Sequence, residues 1–347
     1  MNKRSEDIRD FILTNIETHA SDIAPLVASN FGVSRQSAHN YVAKEVQKGT
    51  LIKVGNTRWT RYFLAGGKHI EFTIKIKPGL AEDSIWTRYV KPMLLEQPGN
   101  VQNICNYGFT EIINNAIDHS EGTSIYVSID VNDVNISIKV MDNGIGIFQK
   151  IQRALGLDSI RESILHLSKG KFTTDPTKHT GEGIFFTSRI FDKFGILSDD
   201  MFYTFSGNDW FLSSEKEESF GKGTFIQMQV NKQSEKTTKQ VMDEYADQDI
   251  GFMKTVVAVA LSADPNDPHV SRSQAKRLLM GLEKFKKIIL DFNGVVSVGQ
   301  AFVDEVFRVF KNAHPGIAVQ YVNANSDVEQ MIKRGLNSGL DTKKDDL

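Results

Sequence analysis

Apolar residues recur at helical spacing in three runs near the start of the chain, and two short β-rich runs follow them. The helical runs are Ile8 to Ile16, Ile23 to Val27, and Ala38 with Val42 and Val46. Gly32 and Ser34 separate the second run from the third, and Gly55-Asn56 is a strong hairpin signal between Leu51–Val54 and Trp59–Phe63. The pattern predicts three helices and a hairpin over residues 1–68.

This N-terminal segment resembles a winged helix, and it is more basic than the rest of the chain. It carries ten Lys and Arg residues against six acidic ones, whereas the whole chain has a formal net charge of -2. The resemblance implies a reader of double-stranded DNA. Side chains at the start of the third helix would face the bases and two arginines of the wing would contact phosphates: Arg35, Gln36, His39 and Asn40, with Arg58 and Arg61. Docking to a protein stays open as the alternative, and the modest charge favours a homodimer on DNA.

The next part of the chain contains a helix with one polar and one apolar face. Ile70 to Ile76 alternate as in a strand, a helix is predicted over 82–95, and another over 108–119. Glu111, Asn115 and Asp118 lie opposite the apolar stripe of that last helix. A carboxylate can deprotonate an attacking water, and a carboxamide oxygen suits Mg²⁺. Taken by itself, such a row can equally be a solvent-facing surface.

Two glycine-rich segments follow a predicted hairpin over 125–140. The second strand leads into Asp142-Asn-Gly144-Ile-Gly146, where an aspartate can accept a hydrogen bond from an exocyclic amine. Residues 169–178 favour a mobile loop, and Thr180-Gly181-Glu-Gly183 precedes a helix whose first amides could hold phosphates. We expect His119 to cap its helix and the loop residue His179 to be solvated.

These segments, in this order, resemble the N, G1 and G2 boxes of the GHKL ATPase and kinase superfamily. Gly221-Lys-Gly-Thr224 is similar to the late Gly-Thr segment of that superfamily. The resemblance implies an α/β sandwich over 69–232, a mixed sheet with helices on one face, that binds Mg²⁺ and ATP. It assigns Glu111 as the catalytic base, Asn115 to the metal, and the remaining cofactor contacts to Asp118, Asp142, Gly144, Gly146, Thr180, Gly181, Gly183 and Thr224. Glutamate at position 111 is unlike sensor histidine kinases, so histidine autophosphorylation is not expected.

The last third of the chain alternates strands and helices, which predicts a small, largely parallel sheet over 250–336. Leu290-Asp-Phe-Asn-Gly-Val295 followed by a helix resembles a STAS domain, the fold of anti-anti-sigma factors. Their phosphorylated Asp-Ser-Ser-Gly is replaced here by Gly299-Gln-Ala-Phe302, which puts phosphorylation of this domain in doubt. Residues 337–347 are predicted to be a disordered tail.

Composition narrows the setting of this multidomain α/β protein. One cysteine, Cys105, excludes an intramolecular disulfide, and no apolar run approaches the roughly 20 residues that span a bilayer, so we expect a cytoplasmic protein without a membrane role. The leading hypothesis is a DNA-binding transcriptional regulator switched by Mg-ATP binding and slow hydrolysis. One alternative is a serine/threonine kinase acting on Ser297, Ser271 or a separate STAS protein, and another is a non-catalytic ATP sensor.

Overall fold

The computed structural model describes residues 3–16, 18–55, 60–65, 67–173, 180–206, 209–213, 222–247, 251–262 and 269–341. The chain divides into two compact units, one of residues 1–71 with 128–137 and the other of residues 72–127 with 138–347. Most of the predicted ATP-binding segment and all of the predicted STAS-like segment fall within the second unit, whereas residues 69–71 and 128–137 belong to the first. Side chains of each segment are hydrogen-bonded to backbone carbonyls of the other, which joins these segments in one unit.

The first unit begins with three helices and a hairpin, as the hydrophobic pattern predicted. The helices are α1 (Lys3–Asn15), α2 (Ile23–Phe31) and α3 (Arg35–Gln47), and the strands are β1 (Leu51–Val54) and β2 (Arg61–Leu64). Gly32 ends α2 in the left-handed conformation, and the Ser34 side chain caps α3 by accepting from the Ser37 amide. The strands pair antiparallel with Leu51 opposite Leu64. The predicted turn residue Asn56 lies outside the described residues.

A seven-stranded sheet with the order β3-β4-β5-β9-β6-β7-β8 is the main element of the central part. The bounds are β3 (Lys68–Lys75), β4 (Ser124–Val131), β5 (Asn135–Asp142), β6 (Lys193–Ser198), β7 (Met201–Ser206), β8 (Asp209–Ser213) and β9 (Thr224–Asn231). Strand β9 lies between β5 and β6, so a late strand completes the middle of the sheet. As a result, the carboxyl end of β5 and the start of β9 are neighbours.

Helices between these strands supply the rest of the central part. Their bounds are α4 (Glu82–Ile85), α5 (Lys91–Leu94), α6 (Gly99–His119), α7 (Ile147–Leu155), α8 (Ile160–Lys169), α9 (Gly183–Ile190) and α10 (Thr238–Tyr245), and a π-helical turn, Trp86–Val90, joins α4 to α5. Helix α6 buries Phe109, Ile112, Ile113 and Ala116, the predicted apolar stripe, while Ile117 is half-buried. No helix among the described residues has the length and apolar character required to cross a membrane.

The C-terminal part contains a parallel three-stranded sheet, which confirms the predicted strand direction. A short hairpin, β10 (Ala246–Asp247) and β11 (Gly251–Phe252), precedes it. The sheet has the order β12-β14-β16 and is accompanied by the pair β13-β15, with bounds β12 (Lys254–Ala258), β13 (His269–Val270), β14 (Lys287–Asp291), β15 (Ser297–Val298) and β16 (Ala318–Val322). The helices are α11 (Arg272–Leu279), α12 (Gln300–Asp304), α13 (Lys311–Ala313) and α14 (Ser326–Asp341).

Helix α14 corrects the predicted start of the tail. Its backbone continues to Asp341, although residues 337–347 were expected to be disordered. Val328 and Ile332 are fully buried at a spacing of four residues, whereas Leu336 is exposed, so the docked face of α14 ends before the helix does. Residues 342–347 lie outside the described part of the chain.

Candidate functional site

A cavity of about 410 Å³ lies beside helix α6, within the second unit. Glu111 and Asn115 of α6 line it together with Asp142 at the end of β5 and Thr224 at the start of β9. The predicted glycine segments also reach it through Gly146, Thr180, Gly181 and Gly183. Its volume is within the usual range for small-molecule sites, roughly 300–1,000 Å³.

Asp142 is the buried carboxylate of the cavity, with 6% of its surface exposed. Its Oδ1 accepts hydrogen bonds from the Gly144 amide at 2.8 Å and from the Thr224 amide at 3.3 Å. Burial raises the pKa of Asp142 above its ordinary value, and the bonds from Gly144 and Thr224 oppose that rise. The loop after β5 and the first residue of β9 therefore fix the orientation of the carboxylate.

The loop after β5 packs closely enough that glycine is required at two positions. A Cβ on Gly144 would lie 2.0 Å from the Ser120 carbonyl oxygen, which accepts from the Ile145 amide at 2.9 Å. Gly144, one of the predicted cofactor contacts, therefore packs on the end of α6 and is not among the residues that line the cavity. Gly146 does line the cavity, and it adopts a φ of 89° immediately before α7.

Thr224 ties the start of β9 to this loop. Its Oγ1 accepts from the Ile147 amide at 3.0 Å, so the threonine holds the first residue of α7 as well as the Asp142 carboxylate. The resemblance implies a cofactor contact for Thr224, and this residue does line the cavity. Its hydrogen bonds show that it also stabilises the wall of the cavity.

Glu111 lies against the first residue of helix α9. A Cβ on Gly183 would be 2.0 Å from Glu111 Oε2, so glycine at this position leaves the space that the carboxylate fills. Tyr107 lies one turn earlier on α6. Burial raises its pKa, and the negative charges of Glu111 and Glu182 raise it further. The carboxylate at 111 is thus directed toward the end of the helix that can hold anions.

Asp118 is the predicted residue of α6 that the structure does not bring to the cavity. Its side chain is exposed, whereas its neighbours on the last turns of α6 and just after them line the cavity: Asn114, Asn115, Ala116, His119 and Ser120. The cavity crosses α6 obliquely, from Asn114 and Glu111 toward Ser120. A residue can therefore share an angular position with Glu111 and still lie off the cavity, as Asp118 does.

Lys150 is a cavity residue that the sequence reasoning missed. It lies on α7, and its Nζ donates to the His119 carbonyl oxygen at 2.6 Å and to Glu121 Oε1 at 3.2 Å. Among the described lining residues it is the one lysine or arginine. The sequence does contain a signal for Lys150: it lies one helical turn after Gly146, so the first turn of α7 brings it close to the glycine-rich loop that lines the cavity.

The two ends of the connection between α8 and α9 meet at the cavity. Phe172 and Thr173 line it from the α8 side, and a Cβ on Gly181 would lie 2.3 Å from the Phe172 carbonyl oxygen. Gly181 has a φ of 73°, which a residue with a side chain rarely adopts. The predicted loop residue His179 lies outside the described residues.

Comparison with known families accounts for most of this architecture. Residues 105–234 match the histidine kinase-, DNA gyrase B- and HSP90-like ATPase family, and residues 274–329 match a STAS-like domain of unknown function. The chain contains a GHKL ATPase domain followed by a STAS-like domain. A comparison with curated proteins gave no match. The ATPase match implies ATP binding, and every cavity residue predicted from the sequence falls inside it.

The predicted DNA-contacting side chains lie in the first unit. Arg35, Gln36, His39 and Asn40 are all exposed at the start of α3. Arg61 on β2 is ion-paired with Glu71, at 3.3 Å between Nη1 and Oε2, so it faces a carboxylate of its own unit. Arg58 lies outside the described residues. The structure thus groups the four residues of α3 on one surface and leaves Arg61 apart from any purely basic patch.

Proposed function

We propose that the chain is an ATP-dependent regulatory protein whose N-terminal winged-helix head binds double-stranded DNA and whose ATPase domain binds and slowly hydrolyses Mg-ATP. The domain limits would be residues 1–68, 69–232 and 250–336. The observation that carries the proposal is the convergence of Glu111, Asn115 and Asp142 on one cavity of about 410 Å³ inside the GHKL match.

The lining of the cavity suits a ligand with one flat apolar part and one charged part. Val140, Ile151 and Ile226 supply apolar surface around the buried Asp142 carboxylate. A purine would use that surface, and its exocyclic amine would donate to Asp142. The triphosphate would then lie toward Glu111, Gly183 and the first turn of α9, because helix amides favour anions.

Magnesium fits this donor set when it arrives with the nucleotide. Asn115 and Glu111 offer hard oxygen donors on the same wall of the cavity. The described residues contain no cluster of three or more His, Cys, Asp or Glu side chains that could hold a metal by themselves. Mg²⁺ commonly takes one or two protein ligands and completes its shell with phosphates and water. Asn115 would hold the ion, which would neutralise charge on the phosphates.

Glu111 is the residue to which we assign hydrolysis. A carboxylate beside the terminal phosphate can orient a water molecule and accept its proton. The assignment rests on the position of the Glu111 carboxylate against Gly183, the first residue of α9. A non-catalytic sensor would share the binding residues but would not need this carboxylate.

The decisive experiment measures released phosphate and protein-bound phosphate on the same purified chain incubated with labelled Mg-ATP. We expect slow phosphate release that Glu111→Gln reduces by roughly 100-fold or more, the scale of a lost general base. Glu96→Gln is the matched control, because that glutamate is exposed and distant in sequence from the boxes. Stable phosphoserine on Ser297 or Ser271 would instead favour the kinase, and binding without either product would favour the sensor.

The exposed surface of α3 supports the proposed DNA contact. Its exposed side chains include Arg35, Gln36, His39, Asn40 and Lys44, none of which is acidic. The acidic residue of this helix, Glu45, is 3% exposed and binds Lys48 at 2.6 Å and Arg9 at 3.5 Å. Burial acts to raise the pKa of Glu45, but bonds and charges from Lys48, Thr50 and Arg9 lower it overall. The exposed face therefore presents polar and basic groups to a duplex.

DNA binding is tested by fluorescence anisotropy on a pool of random-sequence duplexes at several salt concentrations, followed by selection of the bound pool. We expect affinity to fall as salt rises, and Arg35→Ala to weaken binding by roughly 5- to 100-fold. Lys91→Ala, an exposed charge change on α5, is the control. Sedimentation with and without DNA tests the proposed homodimer. Salt-independent or absent binding would favour protein docking by the head.

A further inference from the structure

The end of helix α8 is held by the C-terminal part of the chain. Thr255 of β12 is fully buried, and its Oγ1 donates to the Lys169 carbonyl oxygen at 2.8 Å. The Lys169 side chain is 2% exposed, and its Nζ donates to the carbonyl oxygens of Arg277 at 3.1 Å and Met280 at 3.0 Å. Both carbonyls lie at the C-terminal end of α11, where carbonyl groups lack partners within the helix.

Lys171 makes a second set of contacts with the same part of the chain. Its Nζ donates to the Lys284 carbonyl oxygen at 3.2 Å and lies 4.9 Å from the ring centre of Phe285 and 5.5 Å from that of Phe252. Its backbone has a φ of 56°, an unusual value for a lysine, which the surrounding contacts must maintain.

These contacts lead directly to the nucleotide cavity. Phe172 and Thr173, the two residues after Lys171, line the cavity, and the Phe172 backbone touches Gly181 at the other side of the connection. We call Lys169 to Thr173 the α8 terminal segment. This segment is only five residues long. Its first residue is hydrogen-bonded to the STAS-like part, and its last two residues form part of the cavity wall.

A second route joins the same two regions through helix α9. Phe185 lines the cavity, and its ring centre lies 4.5 Å from that of Phe252 and 5.1 Å from that of Tyr245. The Arg189 guanidinium lies 3.4 Å over the Phe185 ring on α9 itself. Phe252 therefore contacts both Phe185 and Lys171, so it belongs to both routes.

We propose that the STAS-like domain positions the nucleotide-facing wall of the ATPase domain through the α8 terminal segment, with Lys171 as a positioning residue. Nucleotide in the cavity and docking of the STAS-like domain then stabilise each other, because coupling between two sites is reciprocal. This inference rests on the proposed ATP binding. It assigns to the STAS-like domain a role within the same chain that needs no phosphorylated serine.

The test compares Lys171→Ala, Lys171→Arg and Lys276→Ala in the full chain. The first removes the contacts to Lys284 and the two rings, the second keeps a cation, and the third removes an exposed lysine from α11. Titration with Mg-AMP-PNP should give a Kd for Lys171→Ala roughly five- to tenfold higher than wild type, at the lower end of typical coupling. Lys171→Arg should restore most of the affinity, and Lys276→Ala should match wild type.

Hydrogen exchange distinguishes coupling to the STAS-like domain from a purely local role of Lys171, because a local role would not change exchange in β12 and α11. AMP-PNP should slow exchange of the amides in β12 and α11 of the wild type, and less so in Lys171→Ala. Thr255→Val, which keeps the shape of a buried side chain but loses the bond to Lys169, is a second variant and should act in the same direction. The coupling is overturned if the wild type binds AMP-PNP while both variants bind equally well and exchange in β12 is unchanged. A wild type that fails to bind the nucleotide overturns the proposed function and the coupling together.

Discussion

Replacing Asp142 by asparagine separates the stability of the cavity from its recognition of a purine. The carboxylate accepts from the amides of Gly144 and Thr224 through Oδ1, and an asparagine Oδ1 can accept from the same two donors. The second oxygen, however, becomes an NH₂ group. A purine amine that donated to the carboxylate would then meet a donor, so the variant should keep its fold and lose affinity for ATP.

The magnitude follows from the hydrogen bond and from the burial of the charge. A hydrogen bond to a charged group contributes about 1.5–3 kcal/mol, which corresponds to a Kd roughly 10- to 150-fold higher. Burial raises the pKa of Asp142, so the ionised carboxylate costs folding free energy at every pH above its folded pKa. Asparagine removes that cost, and we expect Asp142→Asn to be as stable as the wild type at pH 7.5 or more stable.

Isothermal titration with Mg-ADP and Mg-AMP-PNP, alongside thermal unfolding without nucleotide, measures the two effects. Asp158→Asn is the matched control because it makes the same change of charge at an exposed position on the far side of α7 in sequence. If Asp142→Asn binds both nucleotides within about threefold of wild type, less than one lost hydrogen bond allows, Asp142 does not contact the purine amine. A large drop in stability would show that the carboxylate mainly supports the loop.

Three further changes test other parts of the structure. Gly144→Ala should lower the unfolding free energy by about 2–4 kcal/mol in urea denaturation, because its Cβ would meet the Ser120 carbonyl at 2.0 Å; a loss below about 1 kcal/mol would contradict the packing. In Gly183→Ala, the new methyl group would collide with the flexible end of the Glu111 side chain, so the carboxylate should move. We expect phosphate release to fall at least tenfold with little change in Tm, and unchanged release would argue against Glu111 as the base. Burial lowers the pKa of Lys169 to about 7, so between pH 7 and 10.5 the unfolded chain binds more protons than the folded chain. The free energy of unfolding should therefore rise with pH over this range, by up to roughly 1.4 kcal/mol per pH unit. Lys169→Met should flatten that slope in urea denaturation, and identical slopes for the two proteins would refute the burial of the amine.

The hydrophobic pattern predicted the secondary structure well because burial follows local periodicity in this chain. The alternating residues from Ile125 to Val131 and from Ile136 to Val140 became β4 and β5, and the Leu290 run became β14. Ser34, which the pattern placed just before the third helix, caps that helix by accepting from the Ser37 amide. The parallel direction of the C-terminal sheet also followed from its alternation of strands and helices.

The order of the motifs along the chain was enough to predict which segments contribute to the candidate site. Glu111, Asn115, Asp142 and Thr224 line one cavity because the late strand β9 lies next to β5, and the order of strands in the sheet is a property of the family fold. Spacing gives the angle of a residue around α6 but not what covers each turn. For that reason Asp118 was expected in the cavity and His119 was not, and the structure reverses the two.

The contacts of the STAS-like domain could not be read from spacing at all. Lys169 and Thr255 are separated by 86 residues, and neither belongs to a motif. The signal that exists is chemical: a lysine at the end of a helix followed by Gly-Lys-Phe, with a threonine inside a β-rich run. Such features are common in loops and strands, so a single sequence does not distinguish a bonded pair from two unrelated residues.

The folding unit that holds the nucleotide cavity therefore extends beyond the family match. The ATPase match ends at residue 234, yet Phe185 and Phe186 of α9 are almost fully buried and both pack on Tyr245 and Phe252. A fragment ending at 234 would expose this aromatic surface and would leave the Lys169 amine without the carbonyls of Arg277 and Met280. Both losses act on segments that line the cavity. On the proposed function, the GHKL boxes supply the groups that bind the nucleotide, and the C-terminal domain supplies part of the packing that keeps those groups in place.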